Sequence, residues 1–228
     1  MRWLVITAAA LVLTPLSLAR AETVTFDDQS IGGVPAGFSV ALTGSGGPPK
    51  WEVVKALGGA LGGALGGAAG NSVAQTSSET VDNRFPVLVY DKVSAADVDV
   101  SARVRAVKGS IDQAAGLIWR YRDANNYYIV RANALEDNVV LYKVENGRRS
   151  DLAVKGKGRT YGAKAPFLKG EWNTLAVSAR GAEFTVTFNG KQLYAVEDKT
   201  FTAAGKTGMW TKADSVMQFD NFSVTVVK

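Results

Sequence analysis

Neither cysteine nor histidine occurs in this 228-residue chain. The first absence excludes disulfides and thiolate-held metals. The second excludes Ser-His and Cys-His nucleophiles, imidazole bases and imidazole-bound zinc. Charge of one sign is scarce as well: the formal net charge is +5, and +3 once the first 21 residues, with Arg2, Arg20 and no acid, are set aside. So small and scattered an excess gives no nucleic-acid surface. Any catalysis here would have to use carboxylates, lysine, arginine, tyrosine or a hard metal ion.

Long apolar runs are lacking too. The run from Trp3 to Leu13 is shorter than the roughly 20 residues of a membrane-spanning helix. It is followed by Pro15 and by Ala19-Arg20-Ala21, small residues placed as at a signal-peptidase site. Residues 1–21 therefore read as a cleaved export signal, which puts the mature chain in the periplasm or outside the cell, with no stable membrane insertion. A chain of about 200 residues can bury roughly 70% of its unfolded surface in a single core, so residues 22–228 read as one domain without staples.

What is present is a succession of short β-branched and aromatic segments at spacings near ten residues, bounded by Gly, Asn and Asp. ETVTF, GFSVALT, FPVLVY, ADVDVSARVRAV, AAGLIWRYR, NYYIVRANA, NVVLYKVE, LAVKG, EWNTLAVSAR, AEFTVTFNG, KQLYAVED, GKTGMWTK and VMQFDNFSVTVV each read as a strand. Asn146-Gly147 and Asn189-Gly190 predict two-residue hairpin turns, since type I′ geometry needs positive φ at both central positions. Asp123 to Asn126 predicts a third, longer hairpin. With no helical period to supply crossovers, the expected fold is an all-β, two-sheet antiparallel sandwich. Period-two alternation puts Phe184, Val186 and Phe188 on one face. It also puts Leu117, Trp119, Tyr121, Tyr128 and Val130 in the core, leaving Ile118, Arg120, Arg122, Tyr127, Ile129, Arg131 and Asn133 facing outward. A one-residue slip would exchange the two sets.

The stretch QAAGLIWRYRDANNYYIVRANALEDNVVLYKVENGR, with EWNTLAVSARGAEFTVTFNGKQLYAVED and GKTGMWTKADSVMQFDNFSV, resembles exported bacterial proteins of the concanavalin A-like, laminin G-like superfamily. It lies near the group described as domain of unknown function 1080 or 3-keto-disaccharide hydrolase. The resemblance covers nearly the whole mature chain and implies a curved jelly-roll sandwich whose concave sheet often carries a sugar-binding groove. It is informative about fold and much less so about activity, because this sandwich hosts lectins, glycosidases and interaction modules alike.

The superfamily's laminarinase-like glycosidases carry Glu-x-Asp-x-x-Glu on one strand, a spacing that aims alternate carboxylates at one sugar. No glutamate in this chain has aspartate two positions on. The adjacent pairs Glu136-Asp137 and Glu197-Asp198 would point to opposite strand faces and read as loop solvation. TFTAAGKT, Thr200 to Thr207, lacks the first glycine of a phosphate loop, and GKGRTYG, Gly156 to Gly162, has the wrong spacing for a dinucleotide fingerprint; both read as turns. No catalytic residue is assigned.

Sugar recognition needs aromatic faces against C–H surfaces and polar groups for hydroxyls, gathered on one face. The facing above offers Arg120, Tyr127, Arg131 and Asn133, joined by Trp210 and Lys212 if Met209 and Thr211 point to the core. The competing reading is a solvated sheet face with Trp210 in the core. The resemblance further implies a structural calcium on the convex side, held by backbone carbonyls and Asp220 as the last-strand ligand, with Asp27 or Asp28 approaching from the first strand; oxygen ligands suit that ion. No other cofactor is expected.

Residues 56–70 read ALGGALGGALGGAAG. Leucines and glycines four apart would suit a membrane helix pair, but seven glycines cost a helix about 7 kcal/mol relative to alanine. A flexible surface loop is the first reading, with a leucine-faced helical turn or membrane contact as alternatives. Taken together, the sequence favours an exported, glycan-binding sandwich without catalysis of its own. Two readings stay open: cleavage of 3-keto-disaccharide-type glycosides by concave-face carboxylates, and an envelope structural or protein-binding module.

Overall fold

The computed structural model describes residues 21–58 and 70–227. Residues 1–20 of the expected export signal and most of the glycine repeat lie outside the described residues. In chain order the strands are β1 (Ala21–Val24), β2 (Phe38–Gly44), β3 (Trp51–Lys55), β4 (Asn71–Gln75), β5 (Arg84–Ala95), β6 (Val98–Lys108), β7 (Ala114–Asp123) and β8 (Asn126–Asn133). They continue as β9 (Asn138–Glu145), β10 (Arg148–Asp151), β11 (Ala163–Lys164), β12 (Asn173–Arg180), β13 (Glu183–Phe188), β14 (Lys191–Glu197), β15 (Gly205–Thr211) and β16 (Val216–Val226).

Two antiparallel sheets result. The first runs β14-β13-β12-β6-β16-β4-β3 with β1 on β16; the second runs β10-β9-β8-β7-β15-β5-β2 with β11 on β9. This is the expected all-β sandwich. Both Asn-Gly turns have positive φ at each residue, 51° and 76° at Asn146-Gly147 and 47° and 77° at Asn189-Gly190. The third hairpin joins β7 to β8 across Asp123 and Asn126. LAVKG, in contrast, contributes only isolated bridges at Val154, and the strand beyond Asn146-Gly147 is the polar RRSD of β10.

The sandwich interior draws on both sheets: Val98, Val100 and Val104 from β6 and Phe184 and Val186 from β13 meet Leu88, Leu117, Trp119, Tyr128, Val130 and Met209. A second apolar cluster belongs to the second sheet alone: Phe85, Val87, Val89, Ile118, Tyr127, Ile129, Tyr142, Val144 and Trp210, on the face turned away from that interior. Strands buried on both faces explain why FPVLVY and NYYIV read as continuous apolar runs. Gly116 lies under this outer face. A Cβ there would sit 3.1 Å from Trp210 Cε3 and 3.0 Å from Ile129 Cδ1, so only glycine lets the indole lie flat on β7.

One segment departs from simple alternation. The β7–β8 register shifts between Trp119 and Asp123, and Arg120 has φ of 48°. This β-bulge exchanges the faces of the residues around it. Tyr121, expected in the interior, packs instead on the outer cluster beside Tyr127, ring centroids 5.7 Å apart. Arg120, expected outward, turns to the interior side and lies over the Phe184 ring at 5.3 Å. Its backbone presses on Gly205, where a Cβ would come within 2.7 Å of Arg120 Cα.

The repeat joins β3 to β4, paired from Trp51↔Gln75 to Lys55↔Asn71. Its described leading end is pinned to the first sheet: Leu57 N–H donates to Gln218 Oε1 at 3.0 Å, and Leu57 O accepts from Trp172 Nε1 and Arg105 Nη1, each at 2.9 Å. Among the described residues no helix is long and apolar enough to cross a membrane.

Candidate functional site

The outer face of the second sheet ends in a dense polar cluster where the turn between β8 and β9 meets the segments preceding β5 and β7 and following β15. Arg131 is its centre, 1% exposed, aligned by the pairing of β8 with β9. Its Nη2 donates to Glu136 Oε2 at 2.8 Å and to Asn138 Oδ1 at 2.7 Å. Glu136 also accepts from Asn138 Nδ2 at 2.8 Å and Asn133 Nδ2 at 3.0 Å. Asn133 Nδ2 donates on to Asp112 Oδ1 at 2.7 Å, and Lys212 Nζ binds Asp112 Oδ2 at 2.6 Å together with Asp82. The chain of contacts is continuous from Arg131 to Asp82, so its members orient one another.

Backbone ties hold these groups in place. Asp214 accepts from the amides of Ser110, Ile111 and Asp112 at 2.6 to 3.1 Å, fixing the loop that carries Asp112. Asn133 Oδ1 accepts from Leu135 N–H at 2.9 Å, an Asx turn that sets Glu136 opposite Arg131. Burial alone would raise the Glu136 carboxyl, but the hydrogen bond and charge of Arg131, with Asn138 and Lys212, outweigh it and hold it below the ordinary carboxylate value. For Asp82 the Lys212 hydrogen bond is the main cause of a lowered value.

An aromatic floor adjoins the polar cluster. Trp210 stacks on Phe85 at 5.3 Å, and the Tyr142 hydroxyl lies 2.9 Å from that of Tyr161. Two guanidiniums lie over Tyr142: Arg131 at 5.6 Å and Arg149 at 4.6 Å.

Of the six residues the sequence nominated for ligand contact, Arg131, Asn133 and Lys212 are joined in this cluster, and Trp210 and Tyr127 belong to the floor. Arg120 is elsewhere, removed by the bulge. The five that remain are buried. Exposed atoms belong to Glu136, whose side chain is 40% exposed, to Asp82 at 79% and to Tyr161 at 46%, with Arg149 half-buried. Glu136 is thus the residue the sequence reading missed: it is no loop-solvating acid. Its signal is Asn133-x-x-Glu136-x-Asn138 spanning a turn between two strands, three polar groups that the turn folds onto one point.

The acids expected to hold calcium belong to the region where β1 and β16 pair on the first sheet. Asp220 Oδ2 is 3.5 Å from Arg103 Nη1, and its Oδ1 accepts from Asn221 N–H at 2.7 Å. Burial raises the Asp220 carboxyl, and the nearby Asp27 carboxylate adds to that rise. Asp27 Oδ1 accepts from Asn71 N–H at 2.8 Å, while Asp28 lines a surface recess with Gln29 and Lys92. Among the described residues no group of three or more acids converges to hold a metal ion. The positive charge beside Asp220 comes from Arg103.

The model of the 3-keto-alpha-glucoside-1,2-lyase-like domain matches residues 45–225. The chain belongs to this family. The match runs from the segment preceding β3 to the end of β16 and takes in the whole polar cluster and its aromatic floor. No curated protein matches the chain. Among solved structures, the carbohydrate-binding module CBM66 from Bacillus subtilis is similar with a TM-score of 0.56 and 21% identity, over 67% of this chain and 86% of that one. Domain 4 of AbnA, an extracellular arabinanase of Geobacillus stearothermophilus in complex with arabinotriose, is similar with a TM-score of 0.54 and 16% identity, over 91% and 93%. At these identities the likeness establishes the jelly-roll type of fold.

Proposed function

We propose that the outer face of the second sheet binds a carbohydrate, with Glu136, Asp82, Tyr161 and Arg149 as the contact layer and Arg131, Asn133, Asn138 and Lys212 as the positioning layer. The observation that carries this reading is the anchored Glu136 carboxylate: held by Arg131 and two amides, it is ionised, partly exposed and set beside aromatic rings. A fixed acceptor near the exposed Tyr161 ring suits a pyranose, with its equatorial hydroxyls and apolar face. The names of the two similar structures, a carbohydrate-binding module and an arabinotriose complex, support the same class of ligand. Export of the chain, read from residues 1–21, is part of this proposal. Titration calorimetry with a panel of neutral and acidic oligosaccharides tests it: micromolar to millimolar binding that Glu136→Ala removes supports it, and no binding to any member by the folded protein refutes it.

A second reading is favoured by the family: 1,2-elimination on a 3-keto-glycoside. In that reaction a base removes the proton from C2, the electron pair is taken up as the C3 enolate, and the C1–oxygen bond breaks as the leaving oxygen takes a proton. Glu136, ionised and partly exposed, is the group suited to the first step. Release of aglycone from a 3-keto-glucoside by the native protein, lost in Glu136→Gln, would establish this activity over binding alone.

A further inference from the structure

We propose that the carbohydrate taken by this site is an acidic sugar, a uronic acid residue whose carboxylate is held by Arg149. The inference rests on the carbohydrate reading above and adds the charge of the ligand. Arg149 lies in β10 at the edge of the second sheet, with its guanidinium over three rings: Tyr142 at 4.6 Å, Phe85 at 5.0 Å and Trp210 at 5.8 Å. Among the described residues it donates no hydrogen bond and has no carboxylate within 4 Å, although its Nη1 is buried. Buried donors are normally paired, and Arg149 as a whole is only half-buried, so its guanidinium is open to an acceptor from outside the protein.

Among the described residues, the three fully buried arginines differ in having protein acceptors. Arg84 is met by the carbonyls of Gly47, Pro48 and Ala213, Arg120 by those of Ala96, Gly181 and Phe201, and Arg131 by Glu136 and Asn138. Nearby acids have closer partners: Glu145 pairs with Lys143 at 3.0 Å and Asp82 with Lys212, the Arg149 charge acting on Asp82 only from a distance. Contact with the rings supplies no hydrogen-bond acceptor, so the guanidinium keeps donors in the fork that matches both oxygens of a carboxylate. A recess of about 370 Å³ lined by Arg149, Arg148, Asn146, Ser150 and Glu145 adjoins it, with room for a sugar ring. A uronate carboxylate would give the Arg149 charge a direct partner, which a neutral sugar does not.

The test compares oligosaccharides of galacturonate, mannuronate and glucuronoxylan with those of arabinan, laminarin and cellulose, by calorimetry on the native chain and on Arg149→Met and Arg149→Lys. The expected result is at least tenfold tighter binding of a uronate member, lost in Arg149→Met and not restored by Arg149→Lys, which keeps the charge but not the fork. Equal or tighter binding of neutral members overturns the acidic-sugar inference and leaves carbohydrate binding standing. Binding of none by the folded native chain overturns both.

Discussion

Arg120 and Arg131 belong to neighbouring strands of the same sheet, are about 1% exposed, and were both expected to face a ligand. Their surroundings differ in kind. Arg120 donates to the carbonyls of Ala96, Gly181 and Phe201, and so ties the β5–β6, β12–β13 and β14–β15 connections together. Arg131 donates to side chains, Glu136 and Asn138, and leaves its Nε without a partner. A buried guanidinium satisfied by backbone holds a fold. One that aims a half-exposed carboxylate holds a site.

The largest effect that bears on this contrast is expected from Arg120→Ala. It leaves three carbonyls and Asp97 short of a donor, at about 3–5 kcal/mol of stability, or a fall in melting temperature of roughly 10 °C. Thermal unfolding followed by circular dichroism reads it; a shift under 2 °C would remove the structural role given to Arg120. Arg131→Met is expected to cost less stability, about 1–2 kcal/mol, because water can reach the partly exposed Glu136 carboxylate it leaves behind. Its main consequence is a carbohydrate affinity reduced at least tenfold. If Arg131→Met binds as well as the native chain, the contrast between the two arginines fails.

Much of this arrangement is legible from local rules. Alternation sorts Leu117, Trp119, Tyr128 and Val130 from Ile118, Tyr127, Ile129 and Arg131, and the two Asn-Gly turns follow from dihedral preference alone. Arg120 and Tyr121 are misplaced because a bulge, supported by Gly205 on the neighbouring strand, is set by tertiary contact and shifts the period by one. Glu136 and Arg149 are missed for a related reason. The importance of Glu136 arises only when a turn folds Asn133 and Asn138 onto it, and that of Arg149 only when β10 docks at the sheet edge and lays it across Tyr142.

A smaller effect concerns pH. The folded Glu136 carboxyl lies below its ordinary value of 4.5, so the stability and binding it supplies are complete above that value and are lost as pH falls through the lower folded one. Carbohydrate affinity attributable to Glu136 is therefore expected to be flat from pH 7 to 5 and to decline only below the ordinary carboxylate value; a decline centred near pH 6 would contradict the assignment. The smallest effect is expected from the glycine repeat, which joins two strands of the opposite sheet. Deleting residues 59–66 should shift the melting temperature by less than about 2 °C, since loop-closure entropy changes slowly with length, and should leave carbohydrate affinity unchanged. A larger loss of either would bring the repeat into the functional account.

The most direct test is Glu136→Gln, which keeps the size and hydrogen-bonding shape of the side chain but removes the charge that Arg131 fixes. Calorimetric titration with the tightest-binding oligosaccharide of the panel, beside a melting curve, should show affinity at least tenfold weaker with melting within about 3 °C of the native chain. Unchanged affinity in a folded Glu136→Gln protein would contradict the claim that this carboxylate is the centre of the site.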